Sequence, residues 1–226
     1  MVAVLEKITF SGVSFGGHCN LFRYGVVQDC LQKRNFEFSV GNLYGIIGEF
    51  GEGGAALSCG ITGNTEFYEG KIYIDGIEKD IGELVDISWY IGNDLYKYRI
   101  NSLFCNRIRI NKKTIKEQIE YGVRCQLIDK DFLTIQKMFN ISSERIERNI
   151  NYVGFERWKA SAAIGYANGK RIFCCPWMNS SDIEYLREQL SQTVNVLIDE
   201  GCVVIFPITK EENIKKLSDK NCMIYL

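Results

Sequence analysis

The chain has 226 residues, of which 46% are hydrophobic and 24% charged, as is ordinary for a globular domain. Its formal net charge of −1 gives no electrostatic basis for nucleic acid as a partner, so none is predicted. No segment approaches the roughly 18 apolar residues that cross a bilayer. Nine scattered cysteines, one histidine and no CxxC spacing favour a reducing cytosol and predict no metal site.

The first half of the sequence predicts short strands separated by glycine turns. Each of these runs is rich in β-branched or aromatic residues and is strand-sized. They cover residues 8–10, 36–40, 43–47, 71–75 and 86–91.

The second half predicts helices and one buried strand. Ser/Thr residues that can cap a helix, each followed by a glutamate, place helix starts at Thr114, Ser181 and Thr209. Gly201 is predicted to end the second of these helices. Residues 203–206 are all apolar, which is typical of a strand in a parallel sheet covered on both faces.

This order of strands and helices gives an α/β layer pattern. No linker rich in proline, glycine or serine divides the chain, so residues 1–226 are predicted to form one domain. A helix-rich stretch of about 94–167 is predicted as a subdomain inserted into the α/β core.

A glycine-rich turn between a buried strand and a helix is the most informative segment. It resembles the phosphate-binding P-loop, in which backbone amides and a helix N-terminus hold phosphates. Its candidate nucleotide-contacting residues are Gly48, Gly51, Gly53, Gly54, Ala55 and Ala56. Gly54 stands where the pattern has lysine, and Ala55 stands where it has the Ser or Thr that holds Mg²⁺. The turn alone is also compatible with a flexible loop without a ligand.

Residues 36–76 resemble the opening of an ATP-binding-cassette (ABC) domain. The matching stretches read FEFSVGNLYGIIGEFGEGG and, after a helix, EGKIYIDG. The resemblance implies a P-loop NTPase-like core with an N-terminal antiparallel β part and an inserted helical subdomain. It also places Tyr24 where the family has an aromatic residue that stacks on adenine, although a core or turn tyrosine is an equal alternative.

The resemblance covers nearly the whole chain, but the residues of the family's chemistry are replaced. Asn93 stands for the Q-loop glutamine, and residues 150–154 lack the Ser-Gly-Gly core of the signature. Cys174 and Cys175 stand for the aspartate and glutamate of the Walker B strand. Thr209 or a neighbour stands for the switch histidine.

These replacements imply a catalytically inactive ABC subunit, a structural or regulatory component of a transporter at the cytoplasmic face of a membrane. No catalytic residue is assigned, Mg²⁺ binding is not expected, and weak ATP binding stays open. The expected partners are a transmembrane subunit, docked near residues 93–98, or a second ABC subunit, and a homodimer stays open. The alternatives are a divergent ABC ATPase with slow hydrolysis and a soluble interaction module unrelated to transport.

Overall fold

The computed structural model describes residues 5–22, 25–91 and 113–226. Its strands are β1 (Lys7–Leu21), β2 (Gly25–Ser39), β3 (Asn42–Ile47), β4 (Phe67–Ile74), β5 (Ile77–Lys79), β6 (Ser88–Tyr90), β7 (Ile172–Cys174), β8 (Val203–Ile208) and β9 (Asn221–Tyr225). Its α-helices are α1 (Gly54–Ile61), α2 (Ile81–Ile87), α3 (Ile115–Arg124), α4 (Phe132–Met138), α5 (Ser143–Ile146), α6 (Arg157–Ala167), α7 (Ser180–Asp199) and α8 (Glu211–Lys215).

The strands form an antiparallel sheet in the order β2-β1-β4-β5 and a parallel sheet in the order β6-β7-β8-β3-β9. β1 and β2 pair along their length, from Lys7 opposite Ser39 to Leu21 opposite Gly25. The antiparallel β part and the α/β core that the sequence predicts are both present.

Four strands of the parallel sheet, β3, β6, β7 and β8, are almost wholly buried, whereas the edge strand β9 is partly exposed. Every residue of β8 is buried, as predicted for residues 203–206. Pro207 is tolerated in this central strand because β7 ends level with Ile205, so no strand of the described residues needs an N–H from that side of β8 at Pro207. Met178 reaches that side as a donor, and its N–H bonds to the Pro207 carbonyl oxygen at 3.3 Å.

A helical segment separates two neighbouring strands of this sheet. β6 and β7 pair directly, yet α3 to α6 and two short 3₁₀ turns lie between them in the chain. Apolar side chains of α3, α4 and α6 pack into one core with α7. Elements of residues 113–167 are therefore helical, and the boundary predicted at residue 94 lies outside the described residues.

Of the three helix caps that the sequence predicts, one is confirmed and two are wrong. Thr114 caps α3 in a capping box with Glu117, as predicted. Ser181 does not cap α7, because Asn179 accepts the bond from the backbone N–H of Asp182 and the helix begins at Ser180. Thr209 does not cap α8 either.

The last helix, α8, has Lys210 at its N-cap position and no side-chain cap.

The strand predicted over residues 86–91 is wrong at its start, because α2 continues to Ile87 and β6 covers only Ser88–Tyr90. A capping box of Asp80 and Glu83 fixes the start of that helix, and its last two residues, 86 and 87, are ones expected to be extended.

Candidate nucleotide site

The glycine-rich turn lies at the carboxyl end of β3, an interior strand of the parallel sheet. β3 is parallel to both β8 and β9. The turn, residues 48–53, leads directly into α1, all eight residues of which are buried. Cys174 ends β7 and Thr209 follows β8, so parallel topology brings both to the same edge of the sheet as the turn.

The turn needs glycine at two positions. Gly51 has a φ of 93° and Gly53 a φ of 99°, in the left-handed region that favours glycine. Gly53 is the N-cap of α1 and has no side chain with which to cap it. The helix must therefore obtain acceptors for its first N–H groups from elsewhere.

Asp29, on β2, supplies those acceptors. Its Oδ1 accepts from the backbone N–H of Gly53 at 3.1 Å, and its Oδ2 accepts from the N–H of Ala56 at 2.9 Å. Oδ1 also accepts from the N–H of Cys30 at 3.0 Å, and the side chain is only 4% exposed. A carboxylate of the chain itself is thus bound where an anion is favoured by the helix dipole.

Strand β2 also covers the turn sterically. A Cβ atom at Gly53 would lie 2.7 Å from the Cα of Leu31 and 2.9 Å from the carbonyl oxygen of Cys30. The N–H groups of Gly54 and Ala55 donate no hydrogen bond to any described residue. Of the four N–H groups at the start of α1, those of Gly54 and Ala55 therefore stay open, while those of Gly53 and Ala56 are bonded to Asp29.

The space beside Gly54 is filled by three side chains. A Cβ atom there would lie 3.0 Å from the Cβ of Pro207, 3.6 Å from a methyl carbon of Leu226 and 3.8 Å from Cδ1 of Trp177. Trp177 is held in turn, because its Nε1 donates to the carbonyl oxygen of Gly48 at 3.3 Å and its ring packs edge-on against Phe50 at 5.6 Å. Any long side chain at position 54 would have to displace these groups.

Cys174 and Cys175 are buried thiols. They are 0% and 1% exposed, and the Cys175 N–H donates to the carbonyl oxygen of Ile205 at 2.9 Å. Burial raises the pKa of both thiols, most strongly that of Cys174. Neutral thiols here supply neither the charge that holds a metal ion nor a carboxylate that could accept a proton from water.

The two glutamates of the turn take different positions. Oε2 of Glu52 accepts from the backbone N–H of Glu49 at 2.7 Å, so this carboxylate folds back onto the turn. Both residues are exposed. Their negative charges lie beside the backbone amides of the turn and oppose a phosphate there.

Tyr24 and Asn93, and the docking cleft expected at residues 93–98, lie outside the described residues. Residues 150–154 are described and form two 3₁₀ turns that lead into α6. Thr209 is half-buried between β8 and α8.

Sequence reasoning missed Asp29 and Trp177. Trp177 lies two residues after Cys175, and an aromatic residue there gave no signal by itself. Asp29 lies 24 residues before Gly53, in a stretch of β2 that alternates too weakly to predict a strand. The one available signal was the spacing of Asp29 and Leu31. Residues two apart in a strand point to the same face, so an apolar Leu31 indicates that the Asp29 carboxylate also faces inward.

A parallel sheet in which an interior strand runs through a glycine turn into a buried helix defines the P-loop class of nucleotide-binding folds. Comparison with known structures narrows this class. An ATP-binding subunit of an ABC transporter superposes with a TM-score of 0.62 at 13% identity, covering 96% of this chain and 85% of that one.

An ABC transporter ATP-binding protein from Pyrococcus furiosus superposes with a TM-score of 0.59 at 12% identity, covering 96% of both chains. A dimeric ATP-binding cassette bound to ADP and Pi also gives 0.59, at 17% identity, covering 97% of this chain and 94% of that one. The chain therefore has the fold of an ABC nucleotide-binding domain, as its sequence predicts.

Sequence comparison agrees with the fold. A methionine import ATP-binding protein of Clostridioides difficile (strain 630) is 23% identical over 200 residues. The match covers 86% of this chain and 60% of that protein, so the chain spans well under two thirds of the length of this relative. No protein-family model matches the chain. The predicted resemblance to the ABC family is confirmed by these relatives.

Proposed function

We propose that the chain is a catalytically inactive ABC subunit, a structural or regulatory component of a transporter complex at the cytoplasmic face of a membrane. The fold and the related import protein support the transporter class. Among the described residues, no helix is both long and apolar enough to span a bilayer. Attachment to the membrane through a transmembrane partner subunit or a second ABC subunit is part of this proposal.

The carboxylate of Asp29 on the cradle amides is the observation that carries this proposal. A P-loop binds phosphate through its backbone amides and the dipole of the helix that follows. Here two of these amides, those of Gly53 and Ala56, are bonded to an internal anion that costs no binding entropy to bring in. A nucleotide phosphate would have to displace Asp29 and then tolerate its buried negative charge nearby.

The neighbouring groups support loss of hydrolysis in particular. Phosphoryl transfer needs cations that neutralise the developing charge and a group that positions the attacking water. Position 54 has no lysine, position 55 has no hydroxyl, and the two thiols at the end of β7 are neutral. Each such loss alone typically lowers the rate by orders of magnitude.

Nucleotide titration of the purified chain tests the proposal. We expect no shift in the unfolding temperature with Mg-ATP, Mg-ADP or Mg²⁺-free ATP, and no phosphate release above that of a chain carrying Gly51→Asp. A ligand at 100 times its Kd would stabilise the chain by about 2.7 kcal/mol, which is readily measured. Turnover that Gly51→Asp abolishes would contradict the proposal.

The second candidate is a divergent ABC ATPase that still binds and slowly hydrolyses ATP. The open N–H groups of Gly54 and Ala55 favour it, because two phosphate-binding donors remain at the start of α1. The titration separates the two candidates: saturable stabilisation by ATP without turnover would keep the chain a pseudo-ATPase, whereas turnover would favour the divergent enzyme.

Partner recovery tests the transporter part independently. A tagged chain purified from detergent-solubilised membranes of its native cell is expected to bring with it a multi-helix membrane protein or another ABC subunit. Recovery of the chain alone from the soluble fraction would favour an interaction module unrelated to transport.

A further inference from the structure

A cavity of about 430 Å³ lies between α6, α7 and the segment around α5. It is on the helical side of the molecule, and none of the residues of the glycine turn lines it. Its volume suits a small organic molecule. The inference below does not rest on the proposed function.

Lys159 of α6 lines this cavity and is the first sign of a ligand. Its side chain belongs to a residue that is only 5% exposed, yet its ammonium has no hydrogen-bond or ion-pair partner among the described residues. The ammonium still has an accessible surface, so a ligand in the cavity can reach it. An anionic group there would give it the charged partner that it lacks.

The acidic residues that line the cavity are bonded to other groups. Glu156 accepts from Arg145 Nη1 at 3.2 Å through one oxygen. Its other oxygen accepts from the backbone N–H of Ser142 at 3.1 Å and from the Ser142 hydroxyl at 3.2 Å. Glu188 is exposed and accepts from Gln192 at 3.4 Å. Neither carboxylate is bonded to Lys159.

The mouth of the cavity has an apolar wall. The rings of Phe155 and Tyr185 meet there edge to face at 5.2 Å, and Leu186 is buried beside Tyr185. The cavity thus combines a cation and an aromatic surface.

We infer that this cavity binds a small monocarboxylate with an aromatic or apolar body. The carboxylate would bind the ammonium of Lys159, and the body would pack against Phe155 and Tyr185. A monoanion is favoured over phosphate, because Glu156 and Glu188 at the rim repel a second negative charge.

Binding of 4-hydroxybenzoate to the full chain, followed by amide chemical shifts in ¹⁵N-labelled protein, tests the inference. The neutral 4-hydroxybenzamide and inorganic phosphate are the comparison probes. We expect saturable shifts confined to residues around the cavity with 4-hydroxybenzoate. With the other two probes we expect Kd to be at least about tenfold higher, the size of one charge-assisted hydrogen bond.

Variants distinguish a binding role of Lys159 from a structural one. Lys159→Met keeps the length of the side chain and is expected to raise Kd for 4-hydroxybenzoate at least about tenfold. Lys137→Met removes an exposed lysine of α4 outside the cavity and is expected to leave Kd unchanged. Tyr185→Ala changes a residue that is 57% exposed, so the fold is retained, and is expected to weaken 4-hydroxybenzoate binding but not acetate binding.

Three results would overturn the inference. One is the absence of saturable shifts below about 10 mM 4-hydroxybenzoate. Another is equal binding of the benzoate and the benzamide. The third is equal loss of binding in the variants Lys159→Met and Lys137→Met. If Lys159→Met does not fold, unchanged binding in Tyr185→Ala takes its place as the overturning result.

Discussion

Replacement of Asp29 by alanine is the most direct perturbation of the glycine turn. It removes three hydrogen bonds to a carboxylate, two of which cap α1 through Gly53 and Ala56. Loss of an N-cap costs about 0.5–2 kcal/mol, and each buried N–H left without an acceptor costs about 1–3 kcal/mol. Water can enter the space left by the carboxylate and bond to some of these N–H groups. We therefore expect the free energy of unfolding to fall by about 2–5 kcal/mol.

Urea unfolding measures this change against a matched control on the same strand. Glu37→Ala also removes a carboxylate from β2, but that carboxylate is 61% exposed and pairs with Lys7 at 2.7 Å. An exposed pair of this kind contributes about 0–1 kcal/mol. If Asp29→Ala changed the free energy of unfolding by no more than Glu37→Ala does, the capping role of Asp29 would be wrong.

Anion rescue tests whether Asp29 occupies a phosphate position as well as a cap position. Without the carboxylate, the N–H groups of Gly53 to Ala56 are all free for an external anion. Inorganic phosphate is therefore expected to stabilise Asp29→Ala more than it stabilises the native chain, by RT ln(1 + [L]/Kd). General salt stabilisation is removed by subtracting the effect on Glu37→Ala. Equal stabilisation of all three chains would refute the assignment of an internal anion.

Three further predictions concern helix capping, the lysine position and the buried thiols. Asn179→Ala is expected to lower the free energy of unfolding by about 1 kcal/mol and Ser181→Ala by less than about 0.5 kcal/mol in urea unfolding; the reverse order would restore Ser181 as the cap. Gly54→Lys is expected to destabilise the chain by about 1–3 kcal/mol through overpacking and to restore no phosphate release; ATP turnover in that variant would contradict this. Since burial raises the pKa of Cys174 and Cys175 above the ordinary value of 9.0, the folded chain keeps protons that the unfolded chain releases. The stability contributed by the protonated thiols is thus fully present below pH 9. Above pH 9 the free energy of unfolding is expected to fall by up to about 1.4 kcal/mol per pH unit for each thiol. Urea unfolding measured from pH 8 to 10 should show a smaller slope in a variant with alanine at both positions.

The glycine turn and its flanking elements could be predicted because their signals are local. A buried apolar strand, three glycines and a helix lie within 15 residues, and 203–206 is apolar at every position. The capping box at Thr114 was also predicted correctly, since Thr114 and Glu117 form a single capping motif at the start of an amphipathic helix. In each case residues close in sequence decide the structure.

The remaining features depend on contacts that no local pattern contains. Asp29 caps a helix from 24 residues upstream, so no capping motif near Gly53 records it. Asn179, Ser180 and Ser181 are three successive cap-type residues, and only the packing of α7 selects Asn179. Trp177 and Pro207 fill the space beside Gly54 through tertiary packing that spacing along the chain does not show.

The burial of Cys175 bears on how such a chain could evolve. At 1% exposure, a glutamate in its place would lie in an apolar environment with no lysine at position 54 and no hydroxyl at position 55 to bring a metal ion near it. An uncompensated charge there would cost several kcal/mol, comparable to the whole stability of a domain. A single Cys175→Glu change is therefore expected to be harmful, and a lineage with this interior would need several coordinated substitutions to acquire an acidic pair there.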